Sequence, residues 1–286
     1  MRNTLHGLLA WAAATLFASS ASAATISYQD GTADPLLGTS YSGTRDVMLV
    51  NNNGSQTQLN YGGRGDFEVG NALPGPGGIG PRQTLISFDL GSLAGKFDSI
   101  TSATLRLRVN TNTGAFGGVN TSLIYRVSTA NGNWVEGNVN GIAAPGASDY
   151  NQKQEGVANW AGTGPNAAGN DLVTNSIASA GVNGVPGDGA VFDFNFLDVT
   201  FVSDWANGIN TGLLLVGTQG GGVNIIDFYS SEAFDPSLRP QLIINYAPSL
   251  TQAVPVPTSF ALLLGSLVGL GFARPVFARV RRPRRG

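Results

Sequence analysis

The sequence has no cysteine, and its single histidine is His6. His6 lies in an N-terminal segment that we expect to be removed on export, so the mature chain has neither an imidazole nor a thiol. Ser-His-Asp and Cys-His nucleophiles are therefore excluded, as are zinc sites built from histidine and cysteine. A chain without disulfides must be stabilised by its own core, and about 230 residues are enough to form one.

Charged residues are also scarce, at 12% of the chain. The carboxylates are scattered among predicted loops: Asp30, Asp34, Asp46, Asp66, Glu68, Glu136, Glu155 and Asp188. No catalytic pair can be chosen from this pattern, because solubility and turn formation explain acidic loop residues without catalysis. We predict that the protein is not an enzyme and requires no cofactor, with carboxylate chemistry of the glycosidase kind, or a lyase that uses Tyr, Lys or Arg, as the alternatives.

The N-terminus has the features of a secretory signal peptide. Arg2 supplies a positive charge, an apolar core runs from Leu8 to Phe17, and Ala21 and Ala23 give the small residues of a cleavage site. We therefore predict that residues 1–23 are removed and that the protein is exported.

The C-terminus combines a motif, an apolar segment and a basic tail. A linker, 248–257, ends in the motif Val254, Pro255, Val256 and Pro257. Residues 258–273 are apolar and uncharged, and as a helix they would reach roughly 24 Å, somewhat short of a bilayer core of about 30 Å. Residues 274–286 carry six arginines, which the positive-inside bias holds in the cytoplasm. We expect a transmembrane helix that stops transfer.

This tail resembles the PEP-CTERM sorting signal of Gram-negative bacteria that export extracellular polymers. The family shares the proline motif, the short helix rich in Leu and Gly, and the arginine cluster, although Val256 stands where the family usually has Glu. The resemblance implies an exosortase-type membrane peptidase as partner, anchoring in the inner membrane in transit, and delivery to the cell surface or extracellular matrix. An anchor that is never cut is the alternative.

Removing both ends changes the charge of the chain. The segment 24–253 keeps all 18 acidic residues but loses Arg2 and the six tail arginines from the total of 16 basic residues, which gives a net charge of −9. A nucleic-acid partner requires a basic surface that displaces phosphate counterions. We therefore predict no nucleic-acid partner.

Strict alternation of apolar and polar residues dominates the mature chain. Leu105, Leu107 and Val109 fall on one face of a predicted strand, and Arg106 and Arg108 fall on the other. The same alternation occurs at Ile86/Phe88/Leu90, Leu123/Tyr125/Val127, Phe192/Phe194/Phe196, Ile226/Phe228 and Leu242/Ile244/Tyr246. With Gly- and Asn-rich turns between the strands and one short helix after Asp198, this pattern predicts an all-β antiparallel sandwich.

The mature chain also resembles DNRLRE-domain proteins, a jelly-roll β-sandwich family grouped with carbohydrate-binding modules. The matching pieces, in order, are Asn60-Tyr61-Gly62, Phe67-Glu68-Val69-Gly70, Arg82, Leu85-Ile86-x-Phe88-Asp89-Leu90, Ile100 to Leu107, Trp134-Val135-Glu136-Gly137, Asp198-Val199-Thr200, Trp205 to Gly208, Asn210, Gly212 to Leu215, Phe228 to Glu232 and Arg239 to Leu242. The DNRLRE hexapeptide itself is absent, and residues 31–59 look like an insertion. The resemblance implies a jelly-roll domain over residues 24–247 that binds acidic or neutral polysaccharide, or that builds a surface structure.

Glycan binding requires aromatic faces for sugar rings and polar or charged groups for hydroxyls and carboxylates. Arg106 and Arg108, joined by Arg126 on a neighbouring strand, are candidates for gripping a uronic-acid polymer. Trp134 and Trp160 are candidates for a stacking platform. Two alternatives are open: the arginines pair with nearby carboxylates, and Trp134 packs under a loop.

Calcium is a candidate structural ion, because jelly-roll binding modules often hold one with loop carboxylates and carbonyls. Asp30 and Asp34, near the end of the first predicted strand, are the candidate ligands. The leading hypothesis is an exported, non-catalytic β-sandwich that associates with extracellular polysaccharide, and the alternative is a self-associating surface or biofilm protein that binds no glycan.

Overall fold

The computed structural model describes residues 23–51, 54, 56–71, 80–111, 119–161, 175–183, 186–217 and 224–249. Ala21 of the predicted cleavage site, the proline motif at 254–257, the apolar segment and the basic tail lie outside these residues. Among the helices that are described, none has the length and apolar character needed to cross a membrane.

The described part of the chain is built almost entirely of strands. They are β1 (Ala24–Tyr28), β2 (Thr44–Val50), β3 (Asp66–Asn71), β4 (Arg82–Phe88), β5 (Phe97–Arg108), β6 (Val119–Arg126), β7 (Gln152–Gln154), β8 (Ala158–Asn159), β9 (Ala178–Asn183), β10 (Val191–Asn195), β11 (Leu213–Gly217), β12 (Asn224–Tyr229) and β13 (Gln241–Pro248). One α-helix, α1 (Thr200–Ala206), and three short 3-10 turns (Gly91–Leu93, Thr129–Asn131 and Pro236–Leu238) complete the described elements.

These strands form two main antiparallel sheets. The four-stranded sheet has the order β1-β13-β5-β10, so that the first and last strands are neighbours. The seven-stranded sheet has the order β12-β3-β4-β11-β6-β9, with β2 also paired to β4. The short strands β7 and β8 pair only with each other.

One buried apolar cluster draws on both sheets. It includes Tyr28, Leu105 and Ile244 from the four-stranded sheet and Ile86 and Phe228 from the seven-stranded sheet. Because the inner faces of the two sheets share this core, the molecule is a β-sandwich, which confirms the predicted all-β class. The alternation in β5 is also confirmed, since Leu105 is buried whereas Arg106 and Arg108 lie on the outer face.

The face predicted for β6 was wrong. Ile124, not Leu123 or Tyr125, enters the core between the sheets, and Leu123 and Tyr125 are only partly buried. Val127, just beyond the strand, belongs to a second apolar cluster. Both faces of β6 carry apolar residues, so alternation alone could not decide which face lies inward.

The second apolar cluster covers the outer face of the seven-stranded sheet. Val47, Leu85 and Leu214 point outward from the sheet and pack against Trp134 and Trp160 of an irregular segment. We call residues 127–161 the cover segment. The two sheets thus have different outer faces, because the cover segment buries part of one while the four-stranded sheet presents Arg106 and its neighbours to solvent.

The stretch 31–59 is not simply an insertion after the first strand. It contains β2, whose seven residues all pair with β4, from Thr44 opposite Phe88 to Val50 opposite Arg82. Met48 and Val50 of β2 belong to the core between the sheets. This strand is therefore an integral part of the sandwich.

Candidate functional site

Three carboxylates from distant parts of the chain meet at one end of β2. One oxygen each from Asp46, Glu136 and Glu232 lies within 4.8 Å of the other two, and this is the only such group of three among the described residues. We call it the carboxylate trio. Asp46 is 1% exposed, whereas Glu232 is exposed, so the trio extends from the interior to the surface.

Backbone contacts hold the trio in place. The Asp46 N–H donates to Oε1 of Glu136 at 2.6 Å, and the Ser231 N–H donates to Oδ2 of Asp46 at 2.8 Å. The Ser231 hydroxyl donates to Oε1 of Glu232 at 2.9 Å, and the Glu232 N–H donates to the Ser230 hydroxyl. The carboxylates are therefore fixed by the strand and by the loop that carries Glu232.

A fourth segment closes around Glu136. The Asn60 side-chain amide donates to the backbone carbonyls of Glu136 and Ser148. The approach is close enough to require glycine: a Cβ on Gly62 would lie 2.1 Å from the Glu136 carbonyl, and one on Gly137, whose φ is +80°, would lie 2.4 Å from the Asn60 side chain. These contacts anchor the cover segment to the sandwich at the trio.

The trio has an unfavourable charge balance. Burial raises the pKa of Glu136 to about 9, and the negative charge of Asp46 adds to the shift. Burial also raises the pKa of Asp46, with a further increase from Glu232, and partial desolvation of the carboxyl group raises the pKa of Glu232, although the residue as a whole is exposed. Among the described residues, no salt bridge joins an Arg or Lys to the trio. The carboxylates must therefore either retain protons or share a cation.

The donor chemistry of the trio fits a hard divalent cation. Ca²⁺ takes 6–8 oxygen ligands at about 2.3–2.6 Å, so that oxygens bound to one ion can be as much as about 5 Å apart. A spacing of at most 4.8 Å between the three carboxylate oxygens satisfies this limit. Main-chain carbonyls and water would have to supply the remaining ligands.

The predicted calcium ligands lie elsewhere. Asp34 Oδ1 accepts from the N–H groups of Leu36 and Leu37, at 2.8 and 2.9 Å, and thereby closes a turn. Asp30 Oδ1 accepts from the Thr44 N–H at 2.9 Å. Neither residue belongs to the group of three carboxylates found among the described residues, and their role as calcium ligands stays a prediction.

A second acidic cluster lies on β3 and β12 and includes its own cations. Arg64 pairs with Asp66 and Glu68, and Arg82 Nε contacts Glu68 Oε2 at 3.1 Å. Asp227 lies opposite Glu68 in the strand register, is 0% exposed, and has no hydrogen-bond partner for either carboxylate oxygen among the described residues. Burial, together with the charge of Asp66, raises the pKa of Asp227 to about 9. We call these five residues the arginine-paired cluster.

Arg106 and Arg108 lie where the sequence places them, on the outer face of β5. Arg106 is held by Asp193 of β10 through two hydrogen bonds of 2.8 Å, and Arg108 Nη1 lies 3.4 Å from the Gly189 carbonyl. For Arg106 the structure therefore matches the alternative that the arginines pair with nearby carboxylates. The Arg106 guanidinium already uses Nε and Nη2 to bind Asp193.

Arg126 does not join them. It lies at the end of β6, in the other sheet, and contacts Asp204 of α1 at 2.5 Å and the Thr200 hydroxyl at 2.9 Å. The prediction of a three-arginine face was wrong because β5 and β6 follow one another in the chain but belong to different sheets.

The two tryptophans are buried and present no face to a sugar. Trp134 is 1% exposed, donates from Nε1 to the Thr211 carbonyl, and has the Arg45 guanidinium 4.9 Å from its ring centre. Trp160 is 5% exposed and donates from Nε1 to the Asp149 carbonyl at 3.1 Å. The predicted stacking platform is therefore replaced by core packing beneath the cover segment.

Comparison of the chain with models of known protein families gives no match, and neither does a search of curated proteins.

Proposed function

We propose that the chain is an exported, non-catalytic β-sandwich protein of jelly-roll type that associates with extracellular polysaccharide at the cell surface or in the matrix of a Gram-negative bacterium. One observation carries the proposal. Three pieces of the DNRLRE resemblance, at 60–62, 134–137 and 230–232, lie far apart in sequence yet meet at the carboxylate trio. Chance likenesses would have no reason to converge on one point.

Delivery rests on the two ends of the chain. The signal peptide would direct export, and the tail, with its Val254 to Pro257 motif, would present the protein to an exosortase-type peptidase in the inner membrane. The sandwich between them has a complete core, with all described strands between Ala24 and Pro248. It can therefore be produced and tested as the segment 24–249.

A structural calcium ion fits this proposal at the carboxylate trio. Asp46, Glu136 and Glu232 would hold the ion, which would supply the positive charge that the three carboxylates lack. Because Asp46 belongs to β2, Glu136 to the cover segment and Glu232 to the loop after β12, the residues would tie three segments together. The role of such a site is stability, not catalysis.

The geometry of the trio gives no support to glycoside hydrolysis. The two carboxyl groups of retaining enzymes are about 5–5.5 Å apart, and those of inverting enzymes about 6.5–9.5 Å. Asp46 is almost completely buried, so a sugar bound at the surface could not reach its carboxylate. A non-catalytic module is the function that fits this arrangement.

The test is to incubate segment 24–249 with acidic polysaccharides (alginate, polygalacturonate) and neutral ones (galactomannan, β-glucan, dextran), with calcium or with EDTA. Retention and release of reducing ends are measured together. We expect retention without release. Release of reducing ends would establish an enzyme. Absence of retention on every polymer would overturn the proposal, and concentration-dependent assembly without glycan would favour a self-associating surface protein.

A further inference from the structure

The loop 230–240 joins β12 to β13 and presents one aromatic ring to solvent. Phe234 has an exposed fraction of 102%, so its side chain packs against almost nothing in the fold. Every other aromatic side chain in the described part of the chain is buried or only partly exposed. The phenyl ring therefore offers a flat apolar face that the sandwich itself does not use. We call 230–240 the Phe234 loop.

The Phe234 loop is fixed on both sides of this ring. Ala233 is 3% exposed, and its carbonyl accepts a hydrogen bond of 2.8 Å from Nε of Arg239. Asp235 Oδ1 accepts from the Ser237 N–H at 2.9 Å and thereby closes a turn. The backbone that carries Phe234 is therefore held in place before any ligand arrives, which lowers the conformational entropy that binding costs.

Groups that can bind hydroxyls lie close to the ring. Hydrogen bonds from Ser237 lower the pKa of Asp235, and the positive charges of Arg108 and Arg239 lower it further. Asp235 is exposed, so at neutral pH it is an ionised acceptor that a ligand can reach. Arg108 forms no salt bridge among the described residues, and its hydrogen bond to the Gly189 carbonyl is long, at 3.4 Å. Most of its five N–H donors are therefore available.

The Phe234 loop lies far from the points at which the chain enters and leaves the sandwich. β13 begins at Gln241, directly after the loop, and ends at Pro248, roughly 24 Å away at about 3.4 Å per residue. Ala24, the first residue of β1, pairs with Tyr246 near that far end. A tether joined beyond Pro248 would attach at the opposite end of the four-stranded sheet from Phe234. This position favours a partner that approaches from outside over a lipid surface.

The surface around the ring decides between a sugar and a protein as its partner. A stable protein interface buries about 800 Å² on each partner, and its fully buried core is more apolar than the rest of the surface. Near Phe234, by contrast, Glu232, Asp235 and Ser237 are all exposed, so a single apolar ring stands among polar groups. A pyranose has the matching surface, because C–H groups cover a face of its ring and hydroxyls project from the rim. An aromatic ring covers the C–H face while polar neighbours bind the hydroxyls.

We propose that a pyranose ring of the polysaccharide stacks on Phe234, with Asp235 and Arg108 as hydrogen-bonding partners for its hydroxyls. The inference rests on the proposed function and deepens it, since it places sugar stacking at Phe234 instead of Trp134 and Trp160. The site is an open surface with one ring, so it holds each sugar weakly. A polymer, which offers many copies of the same unit, is therefore the appropriate probe.

The test is affinity electrophoresis of segment 24–249 in gels that contain galactomannan, β-glucan, dextran or alginate. Phe234→Ala removes the ring, and Phe234→Trp replaces it with a larger aromatic face. The matched control is Leu197→Ala, which truncates another apolar side chain, 89% exposed, outside the Phe234 loop. We expect at least one polymer to retard the parent and the control equally. Its affinity for Phe234→Ala should be at least fivefold weaker, and its affinity for Phe234→Trp should equal or exceed that for the parent. Because Phe234 is exposed, the thermal midpoints should stay near that of the parent.

Fluorescence gives a direct readout of contact with the ring. The tryptophans of segment 24–249, Trp134, Trp160 and Trp205, are all buried, so Phe234→Trp adds an exposed indole. We expect the polymer that retards the protein to shift the emission of Phe234→Trp to shorter wavelengths and to leave the emission of the parent unchanged.

Equal retardation of Phe234→Ala and the parent would overturn the stacking site and leave the proposed function standing. The stacking site would also be overturned if Phe234→Ala lost self-association, or binding to vesicles of anionic phospholipid, while it bound the polymer as the parent does. The ring would then serve a second copy of the chain or a lipid surface. No retardation of the parent in any gel would remove both proposals.

Discussion

The carboxylate trio and the arginine-paired cluster contain the same kind of residue but differ in the source of positive charge. In the arginine-paired cluster, Arg64 and Arg82 neutralise Asp66 and Glu68 directly. In the trio, Asp46, Glu136 and Glu232 approach within 4.8 Å of one another without an ion pair among the described residues.

This difference shows how a fold can accommodate buried acids in two ways. A carboxylate that is removed from water must be paired, or its pKa rises until it binds a proton. The arginine-paired cluster shows both outcomes. Its two arginines pair with two of its three carboxylates, and the pKa of the third, Asp227, is raised to about 9. Among the described residues no arginine or lysine forms a salt bridge with the trio, so of the two clusters the trio is the one where an external ion would have the larger effect.

The largest expected effect comes from removing a cation from the paired cluster. Arg82→Met leaves Glu68 with only Arg64, in a site where the Arg82 and Glu68 side chains are 9% and 14% exposed. Breaking a buried pair in this way costs about 3–5 kcal/mol. Urea unfolding of segment 24–249 would measure the loss of unfolding free energy.

The matched control is Arg106→Met, which breaks the pair with Asp193 on the outer face, where both side chains are about one-third exposed. An exposed pair contributes about 0–1 kcal/mol. Losses of similar size in Arg82→Met and Arg106→Met would show that the paired cluster contributes no more than a surface ion pair.

The next effect concerns the excess carboxylate. Because the pKa of Asp227 is raised in the folded state, the folded protein keeps a proton that the unfolded chain releases above about pH 4. The parent should therefore lose stability relative to Asp227→Asn as the pH rises from about 4 to about 9, by up to about 1.4 kcal/mol per pH unit. Unfolding free energies of both proteins at pH 5, 6.5 and 8 would reveal the slope.

Asp193→Asn is the control for that experiment. Arg106 lowers the pKa of Asp193, so its contribution changes only at acidic pH, as the pH falls through the unfolded and then the folded pKa. Its difference from the parent should be constant between pH 5 and 8. If the Asp227→Asn difference is equally constant, Asp227 does not carry a buried proton.

The smallest of the three effects is ion binding by the trio. At a calcium concentration about 100 times the dissociation constant, binding stabilises the folded state by about 2.7 kcal/mol. For a domain of this size that corresponds to a rise in the thermal midpoint of about 5–10 °C. Thermal scans at pH 8, with calcium or with EDTA, would measure it.

Two variants locate the ion. Asp46→Asn should abolish the calcium response, and Asp227→Asn, in the cluster that has its own cations, should keep it. A response that survives in Asp46→Asn would place the ion outside the trio. No response in the parent would mean that protons alone balance the three carboxylates.

The alternation of apolar and polar residues was enough to predict the β-sandwich, but it did not predict the cover segment that packs on one of its sheets. In β5 the alternating residues differ clearly in polarity, and the predicted inner face is the observed one. In β6 the more apolar face, with Leu123 and Tyr125, lies on the outer side of its sheet, where Val127 packs in the second apolar cluster, and Ile124 is the one apolar side chain that β6 directs into the core. Trp134 and Trp160 are buried because the cover segment packs against the outer face of the seven-stranded sheet, and no local sequence pattern predicts that packing.

The trio could not be assembled from sequence because its members are far apart. Asp46 and Glu136 are 90 residues apart, and Glu232 is distant from both. The available signal was the pair of motif pieces Trp134 to Gly137 and Phe228 to Glu232, each of which contributes one carboxylate. Only the tertiary structure could show that these pieces meet. It was also needed to show that Arg106 on β5 and Arg126 on β6 lie in different sheets.

The position of β13 has a mechanical consequence. β13 lies between β1 and β5, and its partners on β5 extend from Phe97 to Arg106. A tension applied to the chain beyond Pro248 would pull along β13 and load its backbone hydrogen bonds to both neighbours side by side, in shear, instead of opening them one at a time. A protein tethered through that end could therefore withstand the drag of flowing liquid on a polymer that it holds.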